Sequence, residues 1–523
     1  MTQTKQHPKD IEINEIFEKT FKLIESGKNI FITGKAGTGK STLLEYFRDH
    51  TDKKVVVLAP TGVSAINIRG QTVHSFFGFK PDITYDNVRK TKKDDDTTNI
   101  YKKLDIIIID EISMVRADLL DCADKFLRLN GKFPNHPFGG IQMIFIGDLY
   151  QLSPVVNKHE NDLFTSHYES PYFFSAKLFD EFDMEFIELE KIYRQTDNSF
   201  TSLLNKIRNN TADYSDIKAL NERYSPTYNK HYNDFCIHLT TTNKDADVIN
   251  ETELDKLPDS YSTFYGRIEG EFGKESTPTA IELKLKIGSQ IMMLNNDPGS
   301  RWVNGSIGKI VGIDHFFDED IIIAELSDGK EVEITQHTWE IFKFFLNEDG
   351  NIESQVLGKF TQFPIRLAFA VTIHKSQGKT FDRVVVDLGR GSFAHGQVYV
   401  ALSRCTTFEG LTLARPLRKS DIRMDDRVQE FLCKYQHKLA SRDNVIAERL
   451  YTINKAIKEN RNLQVTFLKS TNEKSKRTLK PEYIGEMECE GTNFLGLEGF
   501  CHLKQENRVF KVDNMVDVEV VEE

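Results

Sequence analysis

Residues 31–42 read FITGKAGTGKST and contain the pattern GxxxxGKS from Gly34 to Ser41. The apolar run 29–32 precedes this pattern, and a helix-like segment, residues 43–47, follows it. Glycines let backbone N–H groups approach phosphate oxygens without a Cβ in the way, and a helix start attracts negative charge. A strand, a glycine loop and a helix in this order predict a phosphate-binding loop.

The loop residues are expected to surround the phosphates of a nucleotide. Lys40 can reach the β- and γ-phosphates, and the Ser41 hydroxyl is a suitable ligand for Mg²⁺. A chance glycine turn is the alternative, but the flanking strand and helix favour the functional interpretation. The predicted nucleotide-binding residues of this segment are Gly34, Gly37, Thr38, Gly39, Lys40, Ser41 and Thr42.

Composition places the chain among globular proteins of several domains. Its 523 residues exceed what one core organises, and no apolar run reaches the length of a membrane helix. The start of the chain lacks a signal peptide, and the six cysteines form no CxxC pair or zinc spacing. We therefore expect a cytoplasmic protein with reduced thiols and no membrane association. A net charge of −11 argues against a duplex-coating protein but permits a local groove for one strand.

Polar residues follow several apolar runs at the point where each run ends. Short continuous apolar runs that alternate with helical stretches predict parallel strands buried on both faces. The ends of such strands form the ligand crevice of an α/β sheet. The runs are residues 55–58, 106–109, 143–146, 236–239 and 384–386.

Two of these strand ends predict hydrolytic chemistry. Asp110 suits the coordination shell of Mg²⁺, and Glu111 is placed to deprotonate or orient an attacking water. Gln151 follows the next strand and is predicted to touch the γ-phosphate, although a simple helix-start turn is an alternative. Arg194 and Arg404 are candidate arginine fingers, which stabilise charge on the transferred phosphoryl group.

The motifs together resemble those of petite integration frequency (PIF-type) DNA helicases, in the RecD-like branch of superfamily one (class B). The matching segments in order include FITGKAGTGKST, LAPTGVSAINIRGQTVHSFF, DIIIIDEISMV, IGDLYQLSPV, IYRQTD, LTTTN, AFAVTIHKSQGKTF and GQVYVALSRCTTFEGL. The resemblance covers about residues 10–415. It implies an α/β fold with two RecA-like domains, 1–188 and 189–415, that bind ATP and Mg²⁺ between them. Residues 77–103 then correspond to a wedge insert, and residues 286–362 to a β-barrel insert of the Src-homology-3 type.

The same resemblance implies the activity. It predicts an ATP-hydrolysing helicase that translocates 5′ to 3′ on single-stranded DNA and unwinds duplex or structured DNA in replication, repair or recombination. Expected partners are single-stranded and forked DNA, with four-stranded guanine structures as a further substrate. The expected form is a monomer in the bacterial cytosol or nucleoid.

Residues that hold nucleotide and DNA follow from matching motifs. Gln377 is assigned to the nucleotide. The predicted DNA contacts are Pro60, Thr61, Gly62, His74, Ser75 and Phe76 in the first domain, and Thr372, His374, Lys375 and Ser376 in the second. Phe76 is expected to stack on bases, with core packing as the alternative. The chain departs from the family at Phe17, where a glutamine near the adenine is common, and at Lys379, where leucine is common.

The end of the chain forms a separate part. Residues 416–455 are predicted to be a helical connector. Residues 456–523 resemble a WYL domain, a small β-rich module, with NFLGL in place of the namesake triplet. The resemblance implies an accessory domain that senses a ligand or nucleic acid. Arg508 is its candidate contact, and a strand-capping role is the alternative.

Two other functions compete with the helicase. The WYL-like tail permits a DNA-binding transcriptional regulator whose ATPase is a switch, although no helix-turn-helix segment is evident. An NTPase that remodels protein is the third possibility, and it predicts hydrolysis that single-stranded DNA does not stimulate.

Overall fold

The structure is a computed structural model, and it describes fourteen stretches of the chain. These are residues 15–35, 37–91, 96–154, 156, 164–189, 197–225, 235–315, 320–347, 352–389, 391–392, 394–440, 443–468, 474–489 and 492–521. The chain divides into two compact units. The first unit comprises Met1–Leu204 and Asp213–Arg423, and the second comprises Asn205–Ala212 and Met424–Glu523.

The first unit begins with a six-stranded, fully parallel sheet in the order β3-β2-β4-β5-β1-β6. Its strands are β1 (Ile30–Gly34), β2 (Val55–Ala59), β3 (Gln71–Thr72), β4 (Ile106–Ile109), β5 (Gln142–Ile146) and β6 (Glu185–Leu189). Its helices are α1 (Glu15–Glu25), α2 (Lys40–His50), α3 (Gly62–Asn67), α4 (Val73–Phe77), α5 (Asp96–Lys103) and α6 (Ala117–Asn130). All residues of β1, β4 and β5 are buried, which confirms the prediction of strands covered on both faces.

A second parallel sheet contributes the other half of the α/β core. It has the order β18-β7-β19-β20, with strands β7 (Ile237–Thr240), β18 (Ala370–Thr372), β19 (Val384–Asp387) and β20 (Leu411–Leu413). The helices of this part of the chain are α7 (Asn198–Arg208), α8 (Tyr214–Asn221), α9 (Asn243–Asp255) and α10 (Gln397–Leu402). Because all strands of each sheet run in the same direction, the polar residues after each strand lie at a common edge.

Antiparallel strands interrupt the second parallel sheet. They are β8 (Ser262–Tyr265), β9 (Arg267–Gly270), β10 (Glu282–Leu285), β11 (Gln290–Met293), β12 (Ile307–His315), β13 (Asp320–Leu326), β14 (Glu331–Ile334), β15 (His337–Leu346), β16 (Ile352–Gln362) and β17 (Ile365–Leu367). These strands extend on both sides of the predicted insert, 286–362. Asp328-Gly329 forms the turn between β13 and β14, with Gly329 at φ 81°, a conformation that glycine adopts readily in hairpin turns.

The described part of the predicted wedge, residues 77–91 and 96–103, rests on aromatic packing. The rings of Phe76, Phe77 and Tyr101 contact one another, and Phe126 of α6 packs against Phe77 and Tyr101. The Tyr101 hydroxyl donates a hydrogen bond to the Phe76 carbonyl at 2.8 Å. Helix α5 packs against β15 of the insert, and the Phe344 N–H donates to Gln71 Oε1 at 3.4 Å. Residues 92–95 of the predicted wedge lie outside the described residues.

The second unit is built on a five-stranded antiparallel sheet in the order β24-β23-β22-β21-β25. Its strands are β21 (Asn462–Leu468), β22 (Lys474–Cys489), β23 (Thr492–Cys501), β24 (Glu506–Lys511) and β25 (Met515–Val521). Helices α11 (Asp426–Ala440) and α12 (Asp443–Glu459) both pack against β25, and α12 also covers β22. Ile453 and Ala456 of α12 are buried with Leu463 and Val465 of β21. The exact limits of the connector and of the RecA-like domains stay predictions.

Cys122, Cys236, Cys405 and Cys501 are buried free thiols. Among the described helices, none combines the length and apolarity needed to cross a bilayer.

Candidate nucleotide and DNA site

The glycines of the phosphate-binding loop occupy positions that other residues fill poorly. Gly37 has φ 80° and Gly39 has φ 87°, in the left-handed region that L side chains avoid. A Cβ on Gly34 would come within 2.7 Å of both the Leu189 carbonyl oxygen and Thr38 Oγ1. The loop therefore turns tightly between β1 and α2, with backbone available to an anion. Ala36 lies outside the described residues.

Lys40 is held at the loop by the chain itself. Its Nζ donates hydrogen bonds to the carbonyl oxygens of Gly34, at 2.7 Å, and Lys35, at 3.0 Å. Thr38 Oγ1 also donates to the Lys35 carbonyl, at 2.9 Å. Ser41 and Thr42 follow in the first turn of α2, where the backbone N–H groups have no partners within the helix. This arrangement matches a cradle for nucleotide phosphates.

Asp110 and Glu111 follow β4 in the same site. Glu111 has φ 50°, a left-handed conformation that is rare for a residue with a Cβ. Burial raises the pKa of Asp110, against the opposing effects of the Glu111 N–H and Lys40. Burial and the neighbouring Asp110 raise the pKa of Glu111 to about 7, while Lys40 and Arg404 oppose the shift. Two desolvated carboxyl groups beside a lysine form a site that a cation would stabilise.

A hydrogen-bonded chain of polar groups joins the two parallel-sheet domains. Gln377 Nε2 donates to Glu111 Oε2 at 3.3 Å and to Gln151 Oε1 at 3.1 Å. Gln151 Nε2 donates to Asp148 Oδ2 at 3.0 Å, and both residues are buried. The structure thus brings Glu111, Gln151 and Gln377 together. It also adds Asp148, which follows β5 and which the motif analysis did not single out.

Arg404 is fully buried behind Gln377. Its guanidinium donates to the carbonyls of Val400, Ser376 and Lys379, at 2.9, 3.3 and 3.0 Å, and to Ser403 Oγ at 2.9 Å. It nevertheless lies close enough to Glu111 to lower the pKa of that carboxyl. Arg194, the other predicted arginine finger, lies outside the described residues.

The predicted DNA contacts of the first domain lie after β2 and in α4. Thr61 caps α3, because its Oγ1 accepts a hydrogen bond from the Ser64 N–H at 3.2 Å. Pro60 and Gly62 flank it, and a Cβ on Gly62 would collide with Ser276, which lies between β9 and β10. Ser75 is exposed. Burial and Arg116 lower the pKa of His74, which favours a neutral imidazole at pH 7.

Phe76 corrects a prediction. Its side chain is buried against Phe77 and Tyr101, with 6% of its surface exposed. A ring packed in this way has no free face for a base, so the core alternative is right and the stacking role is wrong in this structure. Phe17 is likewise a core residue, packed among Ile32, Leu43 and their neighbours.

The predicted contacts of the second domain lie after β18. Lys375 is exposed. Partial desolvation of its ammonium lowers its pKa, and the positive charge of Arg366 lowers it further. His374 is half-buried, and burial lowers its pKa. Thr372 Oγ1 accepts a hydrogen bond from the Lys375 N–H at 3.3 Å. Ser376 is a second correction, because it is fully buried and its hydroxyl donates to the Ile373 carbonyl at 2.7 Å. That hydroxyl stabilises the turn and is not available to a phosphate.

Among the described residues, no cluster of three or more His, Cys, Asp or Glu side chains forms a metal site. The raised pKa values of Asp110 and Glu111 are compatible with a bound cation, whose charge would offset the desolvation of the two carboxyl groups.

This chain is similar to known proteins in sequence and in fold. The sequence profile of the PIF1-like helicases matches residues 9–218, and that of the WYL domain matches residues 448–520. The ATP-dependent DNA helicase Pif1 of Bdellovibrio bacteriovorus is 32% identical over 443 residues, covering 82% of this chain and 93% of the relative. The crystal structure of Bacteroides sp Pif1 in complex with ADP-AlF4 has 34% identity and a TM-score of 0.75, covering 82% of this chain and 98% of that one.

Bacteroides Pif1 bound to single-stranded DNA aligns over the same shares of the two chains, with 35% identity and a TM-score of 0.59. Unliganded Bacteroides Pif1 gives a TM-score of 0.74 at the same coverage, so the aligned region is arranged more like the unliganded and ADP-AlF4 forms than like the form bound to single-stranded DNA. The chain belongs to the PIF1-like helicases, a family of ATP-dependent DNA helicases.

Proposed function

We propose that this chain couples ATP hydrolysis to 5′-to-3′ movement along single-stranded DNA and thereby unwinds duplex or structured DNA in replication, repair or recombination. The observation that carries the proposal is the contact of Gln377, in the second domain, with Glu111 and Gln151, in the first. A nucleotide bound at Lys40 would sit beside groups of both domains. The direction of movement rests on the resemblance to the family.

The residues of the site divide the chemistry among them. Lys40 and the loop residues Gly34, Gly37, Thr38, Gly39 and Thr42 would bind the phosphates of ATP. Ser41 and Asp110 would hold Mg²⁺, which neutralises charge on the phosphates. Glu111 accepts a proton from the attacking water, and Gln151 and Gln377 report the state of the γ-phosphate. Arg404, together with Arg194, stabilises the charge of the transition state.

Movement follows from the opening and closing of the cleft. Each domain carries its own DNA contacts, Pro60, Thr61, Gly62, His74 and Ser75 on one side and Thr372, His374 and Lys375 on the other. When ATP draws the domains together and hydrolysis releases them, a strand held alternately by each domain advances. Separating one base-pair step costs roughly 1.4 kcal/mol of stacking, well within the reach of one ATP.

DNA partners are supported by relatives. Bacteroides Pif1 has been solved bound to single-stranded DNA, and another structure describes unwinding at forked double-stranded DNA by two coordinating Pif1 helicases. We extend these partners to the present chain, with four-stranded guanine structures as a further substrate. We also propose that the free protein is a monomer and acts in the bacterial cytosol or nucleoid.

The rate of ATP hydrolysis with and without oligodeoxythymidylate distinguishes the helicase from its competitors. We expect strong stimulation in the intact chain and none in Lys40→Ala, because Lys40 holds the phosphates that must be transferred. A rate that is indifferent to DNA would favour protein remodelling. Stimulated hydrolysis without strand separation on a tailed duplex would favour a regulator that uses ATP as a switch.

Gln377→Glu tests the contact between the domains. The substitution preserves size but places a carboxylate beside Glu111, and at such short range like charges oppose closure by a few kcal/mol. We expect DNA-stimulated ATP turnover to fall about a hundredfold. Gln355→Glu, the same change on an exposed strand residue, is the matched control and should leave turnover unaltered. Normal turnover in Gln377→Glu would show that the contact is not used.

The second unit offers a site for the accessory function that the WYL resemblance implies. An open cavity of about 470 Å³ is lined by Phe467, Ser475, Arg477, Arg508, Val509, Phe510, Lys511 and Asn514. Three cationic side chains beside a stacked pair of phenylalanine rings favour an anionic ligand. We assign Arg508 to ligand binding, although it also pairs with Glu506 at 2.6 Å.

Binding of inorganic phosphate to this cavity is expected to weaken about tenfold in Arg477→Gln, since a charge-assisted hydrogen bond is lost. The measurement is equilibrium dialysis with the full chain carrying Lys40→Ala, which suppresses binding at the nucleotide loop. Arg461→Gln lies outside the cavity lining and serves as the control. Equal phosphate binding in all three proteins would exclude the cavity as an anion site.

A further inference from the structure

Lys379 occupies a position where the family commonly has leucine, and it lies under the insert. Its Nζ donates a hydrogen bond to Asn304 Oδ1. Gly305, at φ 101°, covers its stem so closely that an added Cβ would lie 3.4 Å from Lys379 Cβ and Cγ. The ammonium is therefore fixed between the second parallel sheet and the loop that joins β11 to β12, and it does not extend freely into solvent.

Arg366, on β17, is the second cation of this region. Its NH2 group donates to the Pro278 carbonyl, while its Nε is buried and has no hydrogen-bond partner among the described residues. Burial lowers the pKa of Arg366 to about 10. A buried guanidinium N–H without an acceptor is costly, so an oxygen atom that accepts a hydrogen bond from it would be stabilising.

Lys375 completes a group of three like charges. Two causes lower the pKa of both Lys375 and Lys379, the latter to about 8. The larger cause is desolvation, and the second is the nearby positive charge of Arg366. Asp247 offsets this effect at Lys375. Arg366 and Lys379 are largely withdrawn from water, and the exposed Lys375 adds a third positive charge beside them, an arrangement that is unfavourable without an anion. The charges therefore indicate where a phosphate group would be stabilised.

The position of the three cations indicates whether they would bind a phosphate of the nucleotide or of the DNA. Lys375 and His374 are the predicted DNA contacts, whereas the nucleotide phosphates already have Lys40. The backbone of Lys379 also contacts the predicted arginine finger, because its carbonyl accepts a hydrogen bond from Arg404 NH1 at 3.0 Å. One residue thus connects a cationic surface with the predicted arginine finger.

We propose that Arg366, Lys375 and Lys379 form a binding site for a backbone phosphodiester of the translocating strand, with Asn304 and Gly305 as its wall. The proposal rests on the DNA-translocating function proposed above and adds Arg366 and Lys379 to its strand contacts. Occupancy of this site positions Arg404 through the Lys379 carbonyl, so that the bound strand and the ATP site are mechanically linked.

The test is the affinity of the full chain for a fluorescent oligodeoxythymidylate at a series of salt concentrations. Lys379→Leu installs the residue common in the family. We expect it to weaken binding about tenfold at low salt. The slope of log affinity against log salt should fall by about 0.7, the value for one phosphate contact of a single strand. The oligonucleotide concentration that half-stimulates ATP hydrolysis should rise in parallel.

Two variants control this result. Lys379→Arg keeps the charge and should restore most of the affinity and the slope. Lys330→Gln removes an exposed charge of the same insert, at the β13–β14 turn, and should change neither. If Lys379→Leu does not fold, Lys375→Gln, at an exposed position, provides the same slope measurement.

The outcomes separate this inference from the function on which it rests. Wild-type affinity and slope in Lys379→Leu, with DNA-stimulated hydrolysis intact in the wild type, would overturn the phosphodiester site alone. Weaker binding of a fluorescent ATP analogue with unchanged DNA binding would also overturn it, since the cations would then serve the nucleotide. Failure of the wild-type chain to bind oligodeoxythymidylate would instead refute the proposed function.

Discussion

Glu111→Gln is expected to lower DNA-stimulated ATP turnover about a thousandfold while leaving the affinities for ATP and DNA nearly unchanged. The glutamine amide keeps the size of the side chain and can still contact Gln377. It cannot accept the proton of the attacking water. Removing the charge also relieves the repulsion from Asp110 that helps to raise the pKa of Glu111, so nucleotide binding is not expected to suffer.

Single-turnover hydrolysis with saturating oligodeoxythymidylate measures this effect without interference from product release. Glu282→Gln, at an exposed residue of β10 that pairs with Lys284, is a matched control and should hydrolyse ATP like the wild type. Near-normal hydrolysis by Glu111→Gln would remove Glu111 from the role of base.

Arg404→Lys should lower turnover about a thousandfold, even though it preserves the positive charge. A lysine has no planar fork and cannot reproduce the four hydrogen bonds that hold this guanidinium. The residue is fully buried, so some loss of stability is also expected. A loss of stability alone would weaken the binding of all nucleotides equally.

The affinities for ADP and for ADP with aluminium fluoride separate the two effects. An arginine finger acts on charge that develops in the transition state, so Arg404→Lys should weaken the analogue complex far more than ADP. Equal loss for both ligands would assign Arg404 to the architecture of the turn that contains Ser376 and Lys379, and not to the reaction.

The parts of the site that the sequence predicted well are those set by local backbone. Gly37 and Gly39 have the left-handed conformations that their pattern requires, and the four isoleucines before Asp110 are buried as a continuous apolar run implies. Glu111 and Gln151 follow neighbouring strands of one parallel sheet. Their contact with Gln377 therefore needed only that the two domains face each other across a common edge.

Features that depend on residues distant in the sequence could not be predicted from the local residue pattern. Phe76 is buried because Tyr101 and Phe126 pack nearby, and nothing within HSFF records this. Ser376 donates to a carbonyl of its own turn, so a hydroxyl that looks free in sequence is occupied. Arg366 lies in the short segment IRL, and only the fold brings it near Lys379. Burial of polar groups is decided by tertiary packing, which residue patterns do not specify.

The most direct test of the account is strand separation with ATP on two duplexes that differ only in carrying a 5′ or a 3′ single-stranded tail. If the two domains close on one nucleotide and advance a bound strand in the proposed direction, the wild-type chain will unwind the 5′-tailed duplex, and Lys40→Ala will not. Unwinding of the 3′-tailed duplex alone, or of neither under conditions where DNA stimulates hydrolysis, would contradict it.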